Sequence, residues 1–477
     1  MATLIRRKIP ISIPAKRFKR TKILATLGPA TESPEIVEEL IRSGVNGFRL
    51  NFSHGTHDEH KDRIKIIRAA SRRCRKQVAV VQDLQGPKIR VGILPQKITL
   101  APSTRASFQH YGTASNVIPT QYDLAKKVLP GERIFLDDGK IRAKVEKIEG
   151  DIVHTRIEVG GVLSSRKGIN LPDTALGGDI LTKKDIEDIK FGAKNDIDYV
   201  ALSFVQTAAD IERLRKILEA LHSQAKIIAK IETKVATGNL DEIVQASDAV
   251  MVARGDLAVE TKPESVPIVQ REIVGLAMKY GKIAIVATQM LASMVDSPEP
   301  TRAEVSDVAT AVIIGADTVM LSEETAIGNY PIQAVKMMKR IIRYAEDNSP
   351  LRPLYMDIND NTVQSSISSA VMTLAHQVKA SAIVTETSSG TTALSLASHR
   401  PSMPIIMVSN SVRVCQQLSL VYGGKAYYRR HNKHTHEKMT TWLHSTGVLA
   451  KGDIVVMCFG RYPGVVGGTD TIKVRII

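Results

Sequence analysis

Short runs of apolar residues recur along the first 330 positions of the chain, with amphipathic stretches between most of them. Nearly continuous apolar runs of this length are typical of strands buried on both faces of a parallel sheet. Eight strands alternating with helices favour an α/β TIM barrel, (β/α)8, over an open doubly wound sheet. The predicted strands are residues 22–29, 47–55, 77–87, 198–204, 226–233, 248–256, 283–290 and 318–325.

The stretches between these strands carry the start signals of helices. Ser33 is a good N-cap before the first-turn Pro34, and Gly44 ends the same segment. Thr301 starts a capping-box pattern before an apolar-periodic run, and Thr182 precedes a third helical segment in the same way. These signals support the alternation of strands and helices that a barrel requires.

The chain between the third and fourth strands spans about 110 residues, too many for a single structureless loop. The segments IRAKVEKI and IVHTRIEV alternate in polarity around a turn at Glu149-Gly150-Asp151, which predicts a hairpin. We therefore predict a β-rich insertion that covers the barrel mouth as a lid.

The sequence pattern changes near residue 346, where Asn348-Ser349-Pro350 is typical of a linker. This change predicts a separate C-terminal α/β domain. The predicted division is a basic N-terminal arm at 1–20, a barrel at 21–88 plus 169–345, a lid at 89–168 and an α/β domain at 346–477.

The composition limits where the protein works. The chain has 477 residues, and its three cysteines, Cys74, Cys415 and Cys458, lie far apart without a CxxC pair. This spacing argues against a disulfide framework or a zinc site and indicates a reducing compartment. No apolar run approaches the roughly 18 residues of a membrane-spanning helix, and we expect no cleavable signal peptide. We therefore expect a cytoplasmic protein without a membrane partner.

The net charge of +16 raises the question of a nucleic-acid partner. Residues 1–22 hold eight Lys or Arg and no acidic residue, which is half of the excess. A non-enzymatic alternative is therefore a barrel that binds nucleic acid through this arm. Only 4% of residues are aromatic, so few side chains can stack on bases, and small anionic substrates explain a positive cleft equally well.

Polar side chains gather where the predicted strands end. Lys230 and Glu232 are two positions apart at the end of an apolar run, so they point to the same side of a strand. A mutually cancelling ion pair would explain them, but so would a carboxylate that holds a divalent metal beside a lysine that meets phosphate. Asp256, in Arg254-Gly255-Asp256 after another apolar run, is the natural second carboxylate of such a site.

Arg49, Asn51 and Ser53 alternate along the second strand and so face one side. A cation, an amide and a hydroxyl at a barrel mouth suit a phosphate or a bound ion, whereas the plain alternative is a half-polar exposed strand.

Nine segments, in order, resemble the pyruvate kinase family. They are TKILATLGPAT (21–31), FRLNFSHG (48–55), DLQGPKIR (83–90), KGINLP (167–172), AKIET (229–233), VMVARGDLAVE (250–260), ATQML (287–291), PTRAEVSDVA (300–309) and VMLSEETAIGNYP (319–331). The resemblance implies transfer of the phosphoryl group of phosphoenolpyruvate to ADP, giving pyruvate and ATP. A metal-dependent barrel lyase or aldolase acting on a pyruvate enolate is the enzymatic alternative, because it would use the same two carboxylates.

The resemblance also implies roles for individual residues. Glu232 and Asp256 would bind Mg2+ or Mn2+, and Lys230 would neutralise the phosphoryl group in flight, with Thr288 near the enolate. The residues implied to bind substrate or nucleotide are Arg49, Asn51, His54, Arg90, Lys167, Ala253, Arg254, Gly255, Asp256 and Thr288.

One departure from the common family pattern concerns K+. Many members read Asp-Thr-Lys-Gly-Pro-Glu where this chain has Leu84 and Lys88 after Asp83, and those members depend on K+. The ammonium of Lys88 would replace the monovalent ion, although the K+ ligands Asn51, Ser53 and Asp83 remain. This resembles the K+-independent branch, so we expect activity without added K+.

In the last domain, the hydroxyl- and glycine-rich loop Thr387-Ser388-Ser389-Gly390-Thr391-Thr392 follows a predicted strand and precedes a predicted helix. Such a loop can hold phosphate through its N–H groups, or be an ordinary capped turn. The resemblance implies a phosphorylated allosteric effector here and a homotetramer, and we expect residues 460–471 to cover the effector.

Histidines spaced by three, at His54, His57 and His60, and again at His431 and His434 with His436 nearby, could bind metal. No cysteine or carboxylate completes an obvious ligand set, so surface or helix-start positions are the simpler explanation.

Overall fold

The computed structural model describes residues 18–112, 116–174, 180–349, 362–430, 435–460 and 469–477. Most of the predicted N-terminal arm therefore lies outside the described residues, as do His431 and His434, the side chain of His436 and most of 460–471. No helix within the described ranges is long and apolar enough to cross a membrane.

The chain begins with the first three strands of a barrel and two helices on its outside. Ser33 caps the first helix, because its Oγ accepts the N–H of Ile36 at 3.3 Å, and Gly44 ends it with φ +134°. These elements are β1 Lys22–Thr26, α1 Pro34–Ser43, β2 Gly47–Asn51, α2 His57–Cys74 and β3 Ala79–Asp83.

The insertion is a β domain with its own apolar core, which includes Phe108 and Ile134. The predicted hairpin is confirmed, since its strands β9 and β10 pair antiparallel across Glu149 and Ile152. Seven strands form one sheet in the order β4-β12-β8-β9-β10-β6-β7, and β11 pairs with β5. The strands are β4 Ile89–Arg90, β5 Ile98–Leu100, β6 Arg105–His110, β7 Ile118–Thr120, β8 Arg133–Leu136, β9 Ile141–Glu149, β10 Ile152–Val159, β11 Gly161–Leu163 and β12 Gly168–Asn170.

The second part of the barrel supplies five more strands, and the predicted fold is confirmed. The eight strands close in the order β1-β17-β16-β15-β14-β13-β3-β2, all parallel. Each strand is shorter than predicted, because the polar residues at its end turn into loops or helices. The elements are α3 Lys183–Lys194, β13 Tyr199–Leu202, α4 Ala208–Ala220, β14 Lys226–Ile231, α5 Lys234–Gly238, α6 Leu240–Ala246, β15 Ala249–Ala253, α7 Arg254–Glu260, α8 Val266–Lys279, β16 Ile283–Ala287, α9 Arg302–Ile313, β17 Thr318–Leu321, α10 Glu323–Ala326 and α11 Pro331–Asn348.

The C-terminal unit is a five-stranded sheet with helices, in the order β20-β19-β18-β21-β22. The apolar segments SAIVTET, PIIMVS and DIVVMCF predict three of these strands, whereas the sequence pattern misses the two outermost ones, β20 and β22. Edge strands are only partly buried and lack the continuous apolar run of central strands. The elements are α12 Val363–Gln377, β18 Ala382–Glu386, α13 Thr391–Ser398, β19 Ile405–Ser409, α14 Val412–Gln417, β20 Gly424–Tyr428, α15 Thr435–Ser445, β21 Ile454–Gly460 and β22 Thr469–Ile476.

The C-terminal unit covers the end of the barrel at which the strands begin. Apolar residues inside the barrel, such as Leu24 and Ile228, belong to one core cluster with Leu418 and Leu420 of the C-terminal unit. The hydroxyl of Tyr199 donates to the carbonyl of Gln417 at 2.8 Å. The barrel is therefore open only at the carboxyl ends of its strands, the end that carries the chemistry in such folds.

A buried ion pair joins the two units. The Nη2 of Arg400 lies 2.7 Å from Oδ2 of Asp317, and both side chains are only 2% exposed. Asp317 also accepts the N–H groups of Ala284 and Tyr422, from barrel and C-terminal unit respectively.

We predict that Arg400→Met destabilises the junction by about 3–5 kcal/mol, because it leaves the buried charge of Asp317 without its cation. Urea unfolding followed by circular dichroism measures the loss. Arg72→Met, at an exposed position of α2, is the control and should unfold like the wild type. Equal unfolding midpoints for the two variants would contradict this account.

Candidate active site

A cavity of about 630 Å3 opens between the barrel mouth and the insertion. Its wall includes Lys88, Asp138, Gly255, Asp256 and Thr288, which come from both units. Arg49, Lys230 and Glu232 lie at or just after the carboxyl ends of the barrel strands β2 and β14.

Lys230 and Glu232 leave the end of β14 on the same side, as their spacing predicted. The Nζ of Lys230 lies 2.9 Å from Oε1 of Glu232 and 3.1 Å from Oδ1 of Asp83. Arg49, on β2, places its Nε 2.5 Å from the other oxygen of Asp83. Two cations and two carboxylates from three strands therefore form one contiguous cluster.

The charges in this cluster support one another. Burial alone would lower the pKa of Lys230, but Asp83 and Glu232 outweigh it and raise that pKa. Burial raises the pKa of Asp83, yet Lys230 and Arg49 overcome this and hold it below its usual value. Lys230 is thus a fixed positive charge at neutral pH, 12% exposed at the edge of the cavity.

Glu232 and Asp256 are the candidate metal ligands. Within the described ranges no group of three or more His, Cys, Asp or Glu side chains could hold a metal. Two carboxylates nevertheless fit Mg2+, which commonly takes its other oxygens from substrate and water. Burial raises the pKa of Glu232 against the opposing effect of Lys230, and the charge of Asp256 adds to the increase, so the two carboxylates lie near enough to interact.

Lys88, the predicted replacement for K+, contacts a carboxylate of the barrel and lies near one of the insertion. Its Nζ lies 2.8 Å from Oδ1 of Asp256 and 3.8 Å from Oδ1 of Asp138 in the insertion. Burial lowers the pKa of Lys88, but Asp256 more than compensates and raises it. Of the other residues at this locus, Leu84 is buried with 1% exposure, and Asn51 accepts the N–H of Ser53 at 3.1 Å.

The start of α7 faces the same cavity. The N–H of Gly255 donates to Oγ1 of Thr288 at 3.0 Å, which ties the helix start to the end of β16. The guanidinium of Arg254 turns away, because its Nη1 lies 2.7 Å and 2.6 Å from the two oxygens of Asp307. The side chain of Arg254 therefore does not line the cavity, and the role implied for the backbone around Ala253, Arg254 and Gly255 stays a prediction.

The residues implied to bind nucleotide lie at the other side of the cluster. Burial, and then the charges of Arg90 and Arg49, lower the pKa of His54, so this imidazole is near both guanidinium groups. Arg90 and Lys167 belong to the root of the insertion and contact residues there instead of the cluster. Arg90 donates to the carbonyl of Arg166 at 3.0 Å, and Lys167 lies 2.7 Å from Asp137.

The sequence analysis missed three residues of the site. Ser203 accepts the ammonium of Lys230 at 2.7 Å, and Asn170 donates to Oε1 of Glu260 at 3.0 Å. Burial raises the pKa of Glu260, and the charge of Asp256 adds to this effect. Ser203 ends a predicted strand, so its position was a usable signal, whereas the meeting of Asn170 and Glu260 depends on tertiary structure.

The candidate effector loop connects β18 to α13. Gly390 has φ +94°, and its N–H donates to Oγ1 of Thr387 at 2.8 Å. The hydroxyls of Ser389 and Thr391 lie 2.8 Å apart. Thr392 forms the same contact with Thr469, at the start of β22.

Comparison with known proteins identifies the family. The family model described as pyruvate kinase, barrel domain, matches residues 18–335, and the pyruvate kinase alpha/beta domain matches residues 365–475. Pyruvate kinase 2 of Synechocystis sp. is 41% identical over 471 residues, covering 96% of this chain and 79% of its own. A pyruvate kinase of Agrobacterium vitis is 42% identical over 427 residues, covering 88% of both chains.

A pyruvate kinase of Staphylococcus aureus (strain MRSA252) is 38% identical over 479 residues, covering 96% of this chain and 81% of its own. These matches support neither the lyase nor the nucleic-acid alternative. They agree with a barrel followed by a C-terminal α/β unit. The chain belongs to the pyruvate kinase family, whose members are phosphotransferases acting on phosphoenolpyruvate and ADP.

Proposed function

We propose that the cluster of Arg49, Asp83, Lys230 and Glu232 is where the chain transfers the phosphoryl group of phosphoenolpyruvate to ADP. The observation that carries this proposal is the ammonium of Lys230, held between Asp83 and Glu232 at 3.1 Å and 2.9 Å beside the cavity. Phosphoryl transfer requires positioning and charge stabilisation more than covalent chemistry, and a fixed cation supplies both.

Different residues of the chain take different roles in the reaction. Lys230 and Arg49 offset the negative charge of the phosphoryl group as it moves between oxygens. The backbone around Ala253, Arg254 and Gly255 holds the substrate carboxylate, since glycine allows a ligand to approach the main chain closely. The hydroxyl of Thr288 lies on the path by which the enolate carbon receives its proton.

Members of this family generally use a divalent metal, and we propose Mg2+ held by Glu232 and Asp256. When bound, it supplies a Lewis acid that draws charge from the substrate oxygens. On the opposite side, His54, Arg90 and Lys167 bind the nucleotide, the last two from the root of the insertion. Closure of the insertion would bring these cations to the ADP phosphates and exclude water.

Replacing Lys230 tests the central role. Lys230→Met should lower kcat by roughly a hundredfold to a thousandfold, because it removes a preorganised charge at the reacting group. The control is Lys226→Met, at the other end of the same strand β14. A coupled assay with phosphoenolpyruvate and ADP measures both variants, and near-full turnover by Lys230→Met would refute the assignment.

We further propose that the chain does not need K+. Family members usually require it, but here Lys88 places a charged amine 2.8 Å from Asp256, where it offsets the local negative charge. Because the ammonium of Lys88 is covalently attached to the chain, its presence at the site does not depend on the concentration of K+ in solution.

In an assay free of Na+ and K+, KCl should stimulate the wild type by less than about twofold, because Lys88 already supplies the charge. Lys88→Glu should lose most of this activity and regain part of it with KCl. If KCl instead stimulates the activity of the wild type by several tens of fold, roughly the effect expected for the loss of one ion pair, the proposal is contradicted.

We propose that a phosphorylated effector binds the loop Thr387–Thr392 and that the chain works as a homotetramer. The loop offers hydroxyls and the N–H groups at the start of α13. It has no basic side chain, so the identity of the effector stays open. Exposed apolar side chains on the outer barrel helices, such as Ile268 and Tyr344, suit contacts between subunits.

A panel of sugar phosphates should contain one that lowers the KM for phosphoenolpyruvate. Thr391→Glu should then require roughly tenfold more of it, because a carboxylate at this position repels phosphate. Thr373→Glu, at an exposed position of α12, is the matched control. An activator that acts equally on both variants would place its site elsewhere.

A further inference from the structure

The loop between β2 and α2, residues 52–56, carries the candidate nucleotide residue His54. The beginning of the loop is held by a backbone hydrogen bond, in which the N–H of His54 donates to the carbonyl of Asn51 at 3.2 Å. Gly55 lies in the left-handed region with φ +83°, and a Cβ there would approach Oε2 of Glu59 to 2.9 Å. The loop therefore turns sharply and lies close against the start of α2.

Two side chains behind this loop bind its carbonyl groups. The Nζ of Lys184, on α3, donates to the carbonyl of Phe52 at 2.7 Å. The Nε2 of His60, on α2, lies 3.0 Å from the carbonyl of His54. Because the two donors belong to different helices, the loop is attached to the barrel's outer layer at two points.

His60 places a polar ring in a buried position, which is energetically unfavourable. It is 1% exposed and stacks on the ring of Phe52, with centroids 4.0 Å apart and planes 12° apart. A carbonyl oxygen can only accept, so Nε2 must carry the hydrogen, and Nδ1 has no partner within the described ranges. Burial lowers the pKa of His60 to about 4, so the ring stays neutral.

A buried nitrogen without a partner costs free energy, and an apolar side chain would pack against Phe52 without that cost. The bond from His60 to the carbonyl of His54 is the one interaction here that an apolar side chain cannot make. This bond indicates that His60 holds the loop in position in addition to packing against Phe52.

The ammonium of Lys184 is held in place by an ion pair. Its Nζ lies 2.6 Å from Oδ2 of Asp188, a carboxylate that is 2% exposed. The other oxygen of Asp188 lies 2.7 Å from Nε2 of His57. The carbonyl of Asp188 accepts the side chain of Gln82 at 2.6 Å, which ties α3 to β3. The three histidines of the sequence pattern therefore do not converge on a metal, since His57 and His60 bind Asp188 and a carbonyl.

We propose that His60 and Lys184 are positioning residues for ADP: they hold the carbonyls of His54 and Phe52 and so fix the loop that presents His54 to the nucleotide. Neither side chain needs to contact substrate. The inference rests on the proposed function in one respect, the placement of the nucleotide beside His54.

The first test separates ADP from phosphoenolpyruvate. His60→Leu removes the donor but keeps the apolar contact, so the KM for ADP should rise roughly five- to tenfold, as expected for one lost hydrogen bond. The KM for phosphoenolpyruvate and the thermal midpoint should stay near the wild-type values. His60→Gln, whose Nε2 can reach the same carbonyl, should restore the KM for ADP. His399→Leu, a half-buried histidine of the C-terminal unit, is the control.

The second test uses the other attachment point. Lys184→Gln should also raise the KM for ADP selectively, whereas Lys190→Gln, on an outer position of the same helix, should not. Isothermal titration with ADP should give a matching loss of affinity for His60→Leu without any turnover. This measurement separates the inference from the proposed reaction, which wild-type turnover tests by itself.

Equal changes in the KM for both substrates, or unchanged ADP affinity in His60→Leu and Lys184→Gln, would overturn the inference. A lower thermal midpoint with unchanged ADP affinity would also overturn it, because that result assigns the two side chains to packing alone.

Discussion

The ammonium of Lys230 is the charge on which the rest of the site depends. It lies between Asp83 and Glu232, two carboxylates that are almost fully buried and would repel each other without it. Arg49 balances the outer oxygen of Asp83, so the cluster as a whole is close to neutral before substrate arrives. An anionic substrate thus meets cations that are already oriented and need no rearrangement, the condition under which electrostatic stabilisation is most effective.

Lys88 extends this balance to the insertion. It contacts Asp256 of the barrel at 2.8 Å and lies 3.8 Å from Asp138, which belongs to the lid side of the cavity. A single amine therefore links the candidate metal ligand Asp256 to the insertion. The charge of the site and the position of the insertion are coupled through one side chain.

Side chains outside the cavity also bind backbone groups of neighbouring parts of the chain. The C-terminal unit covers the opposite end of the barrel, where Tyr199 and Asp317 bind its backbone. Behind the site, Lys184 and His60 hold the carbonyls of a loop that would otherwise be anchored only at its ends. Side chains outside the cavity thus attach both the C-terminal unit and this loop to the barrel.

The amino-acid sequence determined the fold class and singled out the residues proposed for the site. Buried parallel strands must be apolar along their whole length, so all eight barrel strands were visible locally, and the polar residues that end them, Lys230 and Glu232 among them, marked the reactive edge. Tertiary structure alone decided that Asp83 pairs with both Arg49 and Lys230, and that the side chain of Arg254 turns away from the cavity. These contacts join residues far apart in the chain, and their energies depend on burial, which no local pattern specifies.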